Sequence, residues 1–327
     1  MVIRVKLTEL FSLHLGKGRI SQDVSERQLP SDMLSAALAS IRASWGASED
    51  IAAFLDSFAI SSAFPYDGDE YFMPRPNGLL NISVRGQEEK KYRKKLKSLR
   101  YISFSLWKKL INGEKLEIEE AQLHEEFRSE IAAPAYRLPW TRVVNQRVSV
   151  PREEGQDAEP YMFEWTYFKK GAGLYCFVEA EEALIPEIKK LFTVLGGLGI
   201  GSDRTVGGGQ FNAEFESVSM PSVNGNATMM LSSYIPTEDE VSLLNLPDAN
   251  YSISKRGGFI AGSTNESLRH LRRKPVYMFD TGSVFPTTEK LKGEIVNVRP
   301  DWNDQSMHSV FRSGKPFCIT INRVENE

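Results

Sequence analysis

The sequence predicts an α+β chain made of two units, and three observations carry that expectation. Short apolar runs alternate with polar residues, as in "MVIRVKLTELFSLHLG" at the start and "YMFEWTYF" at 161–168, the period of half-buried strands. Two segments repeat at the helical period instead. In "PSDMLSAALASIRASW" Leu34, Ala37, Leu38, Ile41 and Trp45 share a face, and in "LIPEIKKLFTVL" Ile188, Leu191, Phe192 and Leu195 do. Finally, 327 residues exceed what one core usually organises, and near residue 221 the pattern starts again.

In chain order, the first strand is followed by a polar loop and a helix with Ser31 or Asp32 at its cap. "YMFEWTYF" and "GLYCFVE" flank "KKGAG" and read as a hairpin. The second helix, a glycine-rich loop and the strand "GQFNAEFESV", with Phe211, Ala213 and Phe215 alternating, come next. With an insertion at about residues 60–150 set aside, residues 1–220 spell β-α-β-β-α-β, the ferredoxin-like or RRM-like unit. Residues 221–327 hold "TMMLSSYIP", a helix at "TEDEVSLLNL", and the strands "YSISKRGGFIAGS", "KPVYMFDTGSVF", "GEIVNVRP" and "PFCITIN", a second, β-rich unit.

The insertion has segregated charge. From Lys90 to Lys109 there are nine Lys or Arg and no acid, whereas "EKLEIEEAQLHEEFRSE" at 114–130 is strongly acidic. A basic run of this kind reads equally as a solvated helix face or as a contact to an RNA backbone. Beyond it Pro139, Pro151 and Pro160 surround Arg142, Asn145 and Arg147, the composition of an extended arm rather than of core.

Between residues 196 and 209 the sequence "GGLGIGSDRTVGGG" packs seven glycines around one Asp203-Arg204 pair. Glycine is used this densely where the backbone takes positive φ or another chain approaches closely. The loop leaves a helix and enters a strand, the reverse of the dinucleotide and P-loop settings, and no Gly-Lys pair follows. Any anion bound here is therefore expected to meet the loop's own N–H groups and Arg204.

A net charge of −3 argues against coating nucleic acid nonspecifically and leaves room for a local basic groove. Cys176 and Cys318 sit inside apolar strand-like runs and read as small buried residues of a reducing compartment. No run approaches the ~20 apolar residues of a membrane span, and the first ten residues lack a signal-peptide core, so a cytoplasmic location away from membranes is expected. His14, His124, His270 and His308 show no metal-ligand spacing, and no nucleophile elbow occurs. The expectation is a protein without metal or cofactor. Asp32 reads as a first-turn acid before it reads as a catalytic one. The stripe Tyr161, Phe163, Trp165, Tyr167 reads as the core face under the helices before it reads as a base-stacking surface.

Taken together, "FSLHLGKG", "SDMLSAAL", "ISSAFPY" followed by "YFMPRP", the glycine loop, and "FDTGSVF" with "HSVFRSGKPF" resemble the RAMP superfamily of CRISPR-associated proteins. The resemblance spans nearly the whole chain and is strongest to the handle-binding RAMP subunits of type III-A effector complexes. The loop departs from the family's usual form, with Val206 and a triple glycine where Gly-aromatic-Gly is more typical. The resemblance implies two ferredoxin-like domains, the first bearing a thumb-containing insertion. It also implies a noncatalytic subunit that grips the 5′ repeat-derived handle of the CRISPR RNA, caps the backbone filament beside a neighbouring backbone RAMP subunit, and docks the large polymerase-like subunit. Residues expected at the RNA are His14, Gly16, Lys17, Arg142, Asn145, Arg147, Gly199, Gly201, Ser202, Asp203, Arg204, Gly207, Gly208 and Gly209. The leading alternative is a CRISPR RNA-processing endoribonuclease of the same superfamily with His14 as general base. A nucleotide-binding enzyme and a plain protein-interaction module are the other readings.

Overall fold

A computed structural model describes residues 1–16, 23–46, 50–86, 88, 92, 96, 99–120, 127–128, 138–150, 157–260, 268, 270–301 and 307–324. Its first half contains β1 (Val2–Thr8), β2 (Ser12–Leu13), α1 (Ser31–Ser44), α2 (Ile51–Asp56), β3 (Phe58–Ile60), β4 (Phe64–Asp67), β5 (Glu70–Pro74) and β6 (Ile82–Val84). It continues through β7 (Tyr101–Ser103), α3 (Phe104–Ile111), β8 (Leu116–Ile118), β9 (Phe127–Arg128), β10 (Trp140–Ser149), β11 (Glu159–Phe168), β12 (Ala172–Ala180), α4 (Ile185–Leu198) and β13 (Asn212–Ser217). The remainder is β14 (Ala227–Met230), α5 (Glu238–Leu243), β15 (Ile253–Arg256), β16 (Val276–Phe279), β17 (Val284–Phe285), β18 (Ile295–Asn297), β19 (Phe311–Ser313) and β20 (Cys318–Ile321).

The central sheet runs β13-β1-β12-β4-β5-β7-β9, with β3 also against β12, and all its pairs are antiparallel. Ile3, Val5 and Leu7 alternate inward along β1, and α1 and α4 bury Leu34, Leu38, Ile188, Leu191 and Phe192 in the same core. The three predicted helices are present, as α1, α4 and α5. Trp45, expected on the buried face, is instead the exposed residue that ends α1, with the Lys190 ammonium 4.7 Å from its ring centre.

The expected hairpin is corrected. β11 and β12 do not pair with each other. β12 lies against β1, from Val2↔Glu179 to Leu7↔Leu174, and β11 lies against β2, Ser12↔Tyr167 and Leu13↔Thr166. Partner numbers descend steadily while β1 and β2 ascend, so β11 and β12 run on in one direction through "KKGAG". The interruption is a bulge, with Glu9 at φ +55° on one chain and Gly171 at φ +81° on the other. The strand that completes the sheet beside β12 is β3–β4 at 58–67, inside the residues set aside as an insertion or at their edge.

The helix cap is corrected as well. Pro30 occupies the N-cap of α1 with no side-chain cap hydrogen bond. Ser31 Oγ accepts the Ser233 N–H at 2.8 Å, and the buried Asp32 carboxylate pairs with the buried Arg312 guanidinium. Arg256 Nε lies 3.8 Å from the same carboxylate, and Ser233 Oγ lies 3.4 Å from it.

Three small antiparallel sheets, β17-β14-β20, β15-β16 and β18-β19, form the C-terminal part, and α5 opens on a Thr237–Glu240 capping box. Its core residues Met229, Leu231, Phe317 and Ile319 belong to the same apolar cluster as β1 and β12. Across this seam a pattern repeats. Ser61 Oγ accepts the Phe177 N–H at 2.8 Å, Ser232 Oγ accepts the Phe317 N–H at 2.8 Å, and the two phenylalanine rings stack with centres 5.9 Å apart. Cys176 and Cys318 are both free thiols. No helix among the described residues is long and apolar enough to cross a membrane. Much of the basic run (90, 91, 93–95, 97, 98) and of the acidic run (121–126, 129, 130) lies outside the described residues.

Removing one partner of a buried ion pair leaves an uncompensated charge, at a cost of about 3–5 kcal/mol. Asp32→Ala is therefore expected to destabilise the chain by about that amount in urea denaturation. Asp32→Ala combined with Arg312→Met should recover most of the loss.

Candidate nucleic-acid interface

Three stretches far apart in sequence meet: the chain from Phe11 to Gly16, the β10–β11 ribbon, and the glycine loop. α4 ends because Gly199 takes φ +78°, its N–H still reaching Leu195 O at 2.8 Å. The loop is then sewn down. Ile200 donates to Gly209 O (2.9 Å), Gly209 to Ser12 O (2.8 Å), Ser202 to His14 O (2.9 Å), Gly208 to Asp203 O (3.1 Å) and Gly207 to Arg204 O (3.1 Å).

This corrects two expectations. The N–H groups of Ser202, Gly207, Gly208 and Gly209, expected to face an anion, are spent on the chain's own carbonyls. The close visitor that the glycines admit is likewise the protein itself. A Cβ on Gly201 (φ +90°) would fall on His14 O and one on Gly209 (φ +69°) on Ile200 O. On Gly199 it would lie 2.6 Å from Gly208 O, and on Gly208 2.8 Å from the Trp165 ring and 2.9 Å from the Ser202 and Asp203 carbonyls. A Cβ on Gly207 would meet only Gln210 Oε1, at an ordinary 3.8 Å, but the residue sits at φ +86°.

The aromatic stripe is the seat of this loop, a further correction. Phe163 and Trp165 are buried yet outside the main core cluster, and what covers them is the loop at Gly208 and Arg147 rather than a helix. The Arg147 guanidinium lies 4.9 Å above Phe163 and 5.9 Å from Trp165 and is ion-paired to Asp203. The Asp203 hydrogen bond raises the Arg147 pKa further, so the guanidinium stays charged. His14 is 1% exposed, its Nδ1 is 2.7 Å from Glu164 O, and its ring stacks 4.1 Å from Phe163. An Nδ1–H donated to that carbonyl leaves Nε2 as the acceptor, on the side of Gly16 and Ser202.

The structure therefore brings His14, Gly16, Arg147, Ser202, Asp203 and Gly208 into one patch. Arg204 stands exposed on the outside of the loop and makes no ion pair among the described residues. Asn145 is exposed on the ribbon face that carries Arg147, because alternate residues share a face. Arg142 belongs to the opposite face, beside Thr166, where it lines a cleft with Ser25, Arg27 and Trp140. Lys17 lies outside the described residues.

Sequence reasoning passed over Glu164 and Phe11. The buried Glu164 carboxylate accepts the Ser25 N–H at 2.6 Å and pairs with Arg27 at 3.2 Å, fixing the chain that follows β2. Its one signal was an acid set inside an aromatic run. Among the described residues no group of three or more His, Cys, Asp or Glu stands where it could hold a metal ion.

Residues 223–321 match the family model described as the CRISPR Csm4 C-terminal domain. The chain is 27% identical over 268 residues to the CRISPR system protein Csm4 of Mycobacterium tuberculosis strain H37Rv, covering 80% of this chain and 79% of that protein. It is 27% identical over 227 residues to Csm4 of Thermococcus onnurineus, covering 67% and 73%. Among solved structures, a chain of the Csm1–Csm4 cassette in complex with cA4 superposes with a TM-score of 0.63 at 18% identity, with 99% of both chains covered. A chain of the Csm3–Csm4 subcomplex of a type III-A interference complex gives 0.62 at 17% identity, with 99% of this chain and 100% of that one covered. These likenesses show a shared fold.

The glycine contacts set an order of mutational cost. Gly201→Ala and Gly209→Ala, each with positive φ and a carbonyl in the way, are expected to lose more than about 1–3 kcal/mol. Gly197→Ala, inside α4 with nothing within 4 Å of its Cβ, should be neutral or gain about 0.5–1 kcal/mol. Urea denaturation of the three variants checks the order.

Proposed function

We propose that the chain is a RAMP protein of the Csm4 type working in a type III CRISPR complex, and that within such a complex it grips the 5′ handle of the CRISPR RNA without itself cutting it. The reading is carried by one observation: a loop pinned to β2 and to the aromatic ribbon holds Arg204 out to solvent, with Arg147 and Asn145 on the adjoining strand. Such a surface offers an exposed cation on a backbone held by the chain's own hydrogen bonds, which can position a phosphate chain and reads little sequence.

The strand order supports two ferredoxin-like units. For the first, β13-β1-β12-β3/β4 with α1 and α4 packed on it matches the strand order of that fold, and on this reading the thumb-bearing insertion would fall between β4 and β12. The Ser61–Phe177 contact recurring at Ser232–Phe317 supports a second, related unit over 221–327. Csm4 chains occur in solved structures with Csm1 and with Csm3. We extend this to the present chain, with the large subunit and a neighbouring backbone RAMP subunit as its partners and the cytoplasm as its location. A general base must reach the proton it removes. His14 is enclosed and bonded to Glu164, and Asp32 is committed to Arg312, so neither is presented to RNA.

Three measurements test this reading. RNA that copurifies with the protein should share a constant 5′ end on sequencing, and a heterogeneous population would refute handle recognition. Arg204→Ala should weaken RNA binding roughly tenfold at low salt and flatten the plot of log affinity against log salt by about 0.7–1, the counterion release of one phosphate contact. His14→Ala should leave CRISPR RNA length unchanged in assembled complexes. Accumulation of uncut precursor would favour the processing endonuclease instead.

A further inference from the structure

The rings under the glycine loop form a ladder. His14 and Phe163 are 4.1 Å apart, Phe163 and Trp165 5.0 Å, Trp165 and Tyr167 6.4 Å, and Tyr167 and Phe11 5.3 Å. The loop roofs its middle, where Phe163 and Trp165 are buried, while Tyr167 is half-buried and Phe11 is 69% exposed. Burying a phenylalanine is worth about 1.5–3 kcal/mol, so a ring left in water is informative when its position is fixed. Here it is fixed. Phe11 O accepts the Phe168 N–H at 3.0 Å, and the next carbonyl, Ser12 O, accepts the Gly209 N–H at 2.8 Å. Tyr167 meets Phe11 at a 60° interplanar angle, an edge-to-face contact that still leaves Phe11 largely in solvent.

We propose that Phe11 is a stacking platform for one base of the bound RNA and so fixes where a nucleotide of the handle sits. The inference rests on the RNA-binding reading above. Charge selects the occupant. Exposed Lys169 and Lys170 follow directly on Phe168, whose N–H is bonded to Phe11, and the loop bonded to Ser12 carries exposed Arg204. An open aromatic ring on a strand whose bonded neighbours carry cations suits a single-stranded nucleotide, whose base stacks while its phosphates meet cations. Interface cores between proteins are depleted in lysine.

The test uses the full chain and a synthetic RNA oligonucleotide of the copurified 5′ sequence. Phe11→Ala should weaken binding roughly tenfold, the scale of one base–aromatic stack, with an unchanged slope against salt because no charge is removed. Phe11→Trp should bind at least as tightly as the parent. Abasic substitution walked along the RNA should reproduce the loss at one position in the parent and add nothing at that position in Phe11→Ala. The unchanged thermal unfolding expected for an exposed side chain separates this from misfolding. If Phe11→Ala binds RNA like the parent while Arg204→Ala weakens it, the platform is refuted and the RNA reading stands. If Phe11→Ala keeps RNA but releases a protein subunit from the assembled complex, Phe11 is a protein contact and the platform is refuted. If the parent binds none of this RNA, the RNA reading fails and takes the platform with it.

Discussion

One buried carboxylate holds the two parts of the chain in register. Asp32, in the first turn of α1, takes the guanidinium of Arg312 on β19 and stands beside Arg256 at the end of β15. α1 in turn packs along α4 and is tied to it by Arg42 Nε and Glu187 at 2.8 Å. α4 ends at the glycine that launches the loop. The path from a charge buried between two sets of sheets to the candidate RNA surface is thus one polar clamp and two packed helices. Desolvation makes the clamp exacting: two ions removed from water are tolerable only while each satisfies the other. It is a device for fixing relative position more than for adding stability.

What the sequence revealed divides by distance along the chain. α1 and α4 were legible because an apolar face repeats every three to four residues and needs no knowledge of partners. The strand character of β11 and β12 was legible too, yet not their pairing. Lys169–Ala172 has the composition of a turn, and a glycine at positive φ serves a bulge as well as a reversal. Asp32 was recognisable as a first-turn acid, but the residue that defines its role lies 280 positions away, and no local pattern announces such a partner. For the aromatic stripe, hydrophobicity indicated burial, while the identity of the cover, a loop and an arginine, depended on the fold.

The glycine loop shows the same division sharply. Its composition signalled close approach, and close approach is present, but the approaching atoms are His14 O, Ile200 O and the Trp165 ring. Glycine here lets the loop collapse onto its own scaffold and spend its N–H groups inward. That leaves an outer rim whose backbone is tied down by hydrogen bonds, on which Arg204, Asn145 and Phe11 are displayed. Rigidity at such a rim lowers the ordering cost of any ligand it receives.

The bulge that misled the hairpin expectation has a mechanical side. β1 with β2, and β12 with β11, form one bent ladder that runs from the core of the central sheet into the ribbon, where β10 and β11 stay paired from Trp140↔Phe168 to Ser149↔Glu159. The path is interrupted only at Glu9–Phe11 and at the turn Lys169–Gly171. A tug on the far tip of the ribbon along its length is therefore met in shear, with many ladder bonds strained together, whereas a sideways tug would peel them singly. An arm rooted this way transmits load to the core instead of swinging from it, and whatever grips its tip is coupled to the sheet itself.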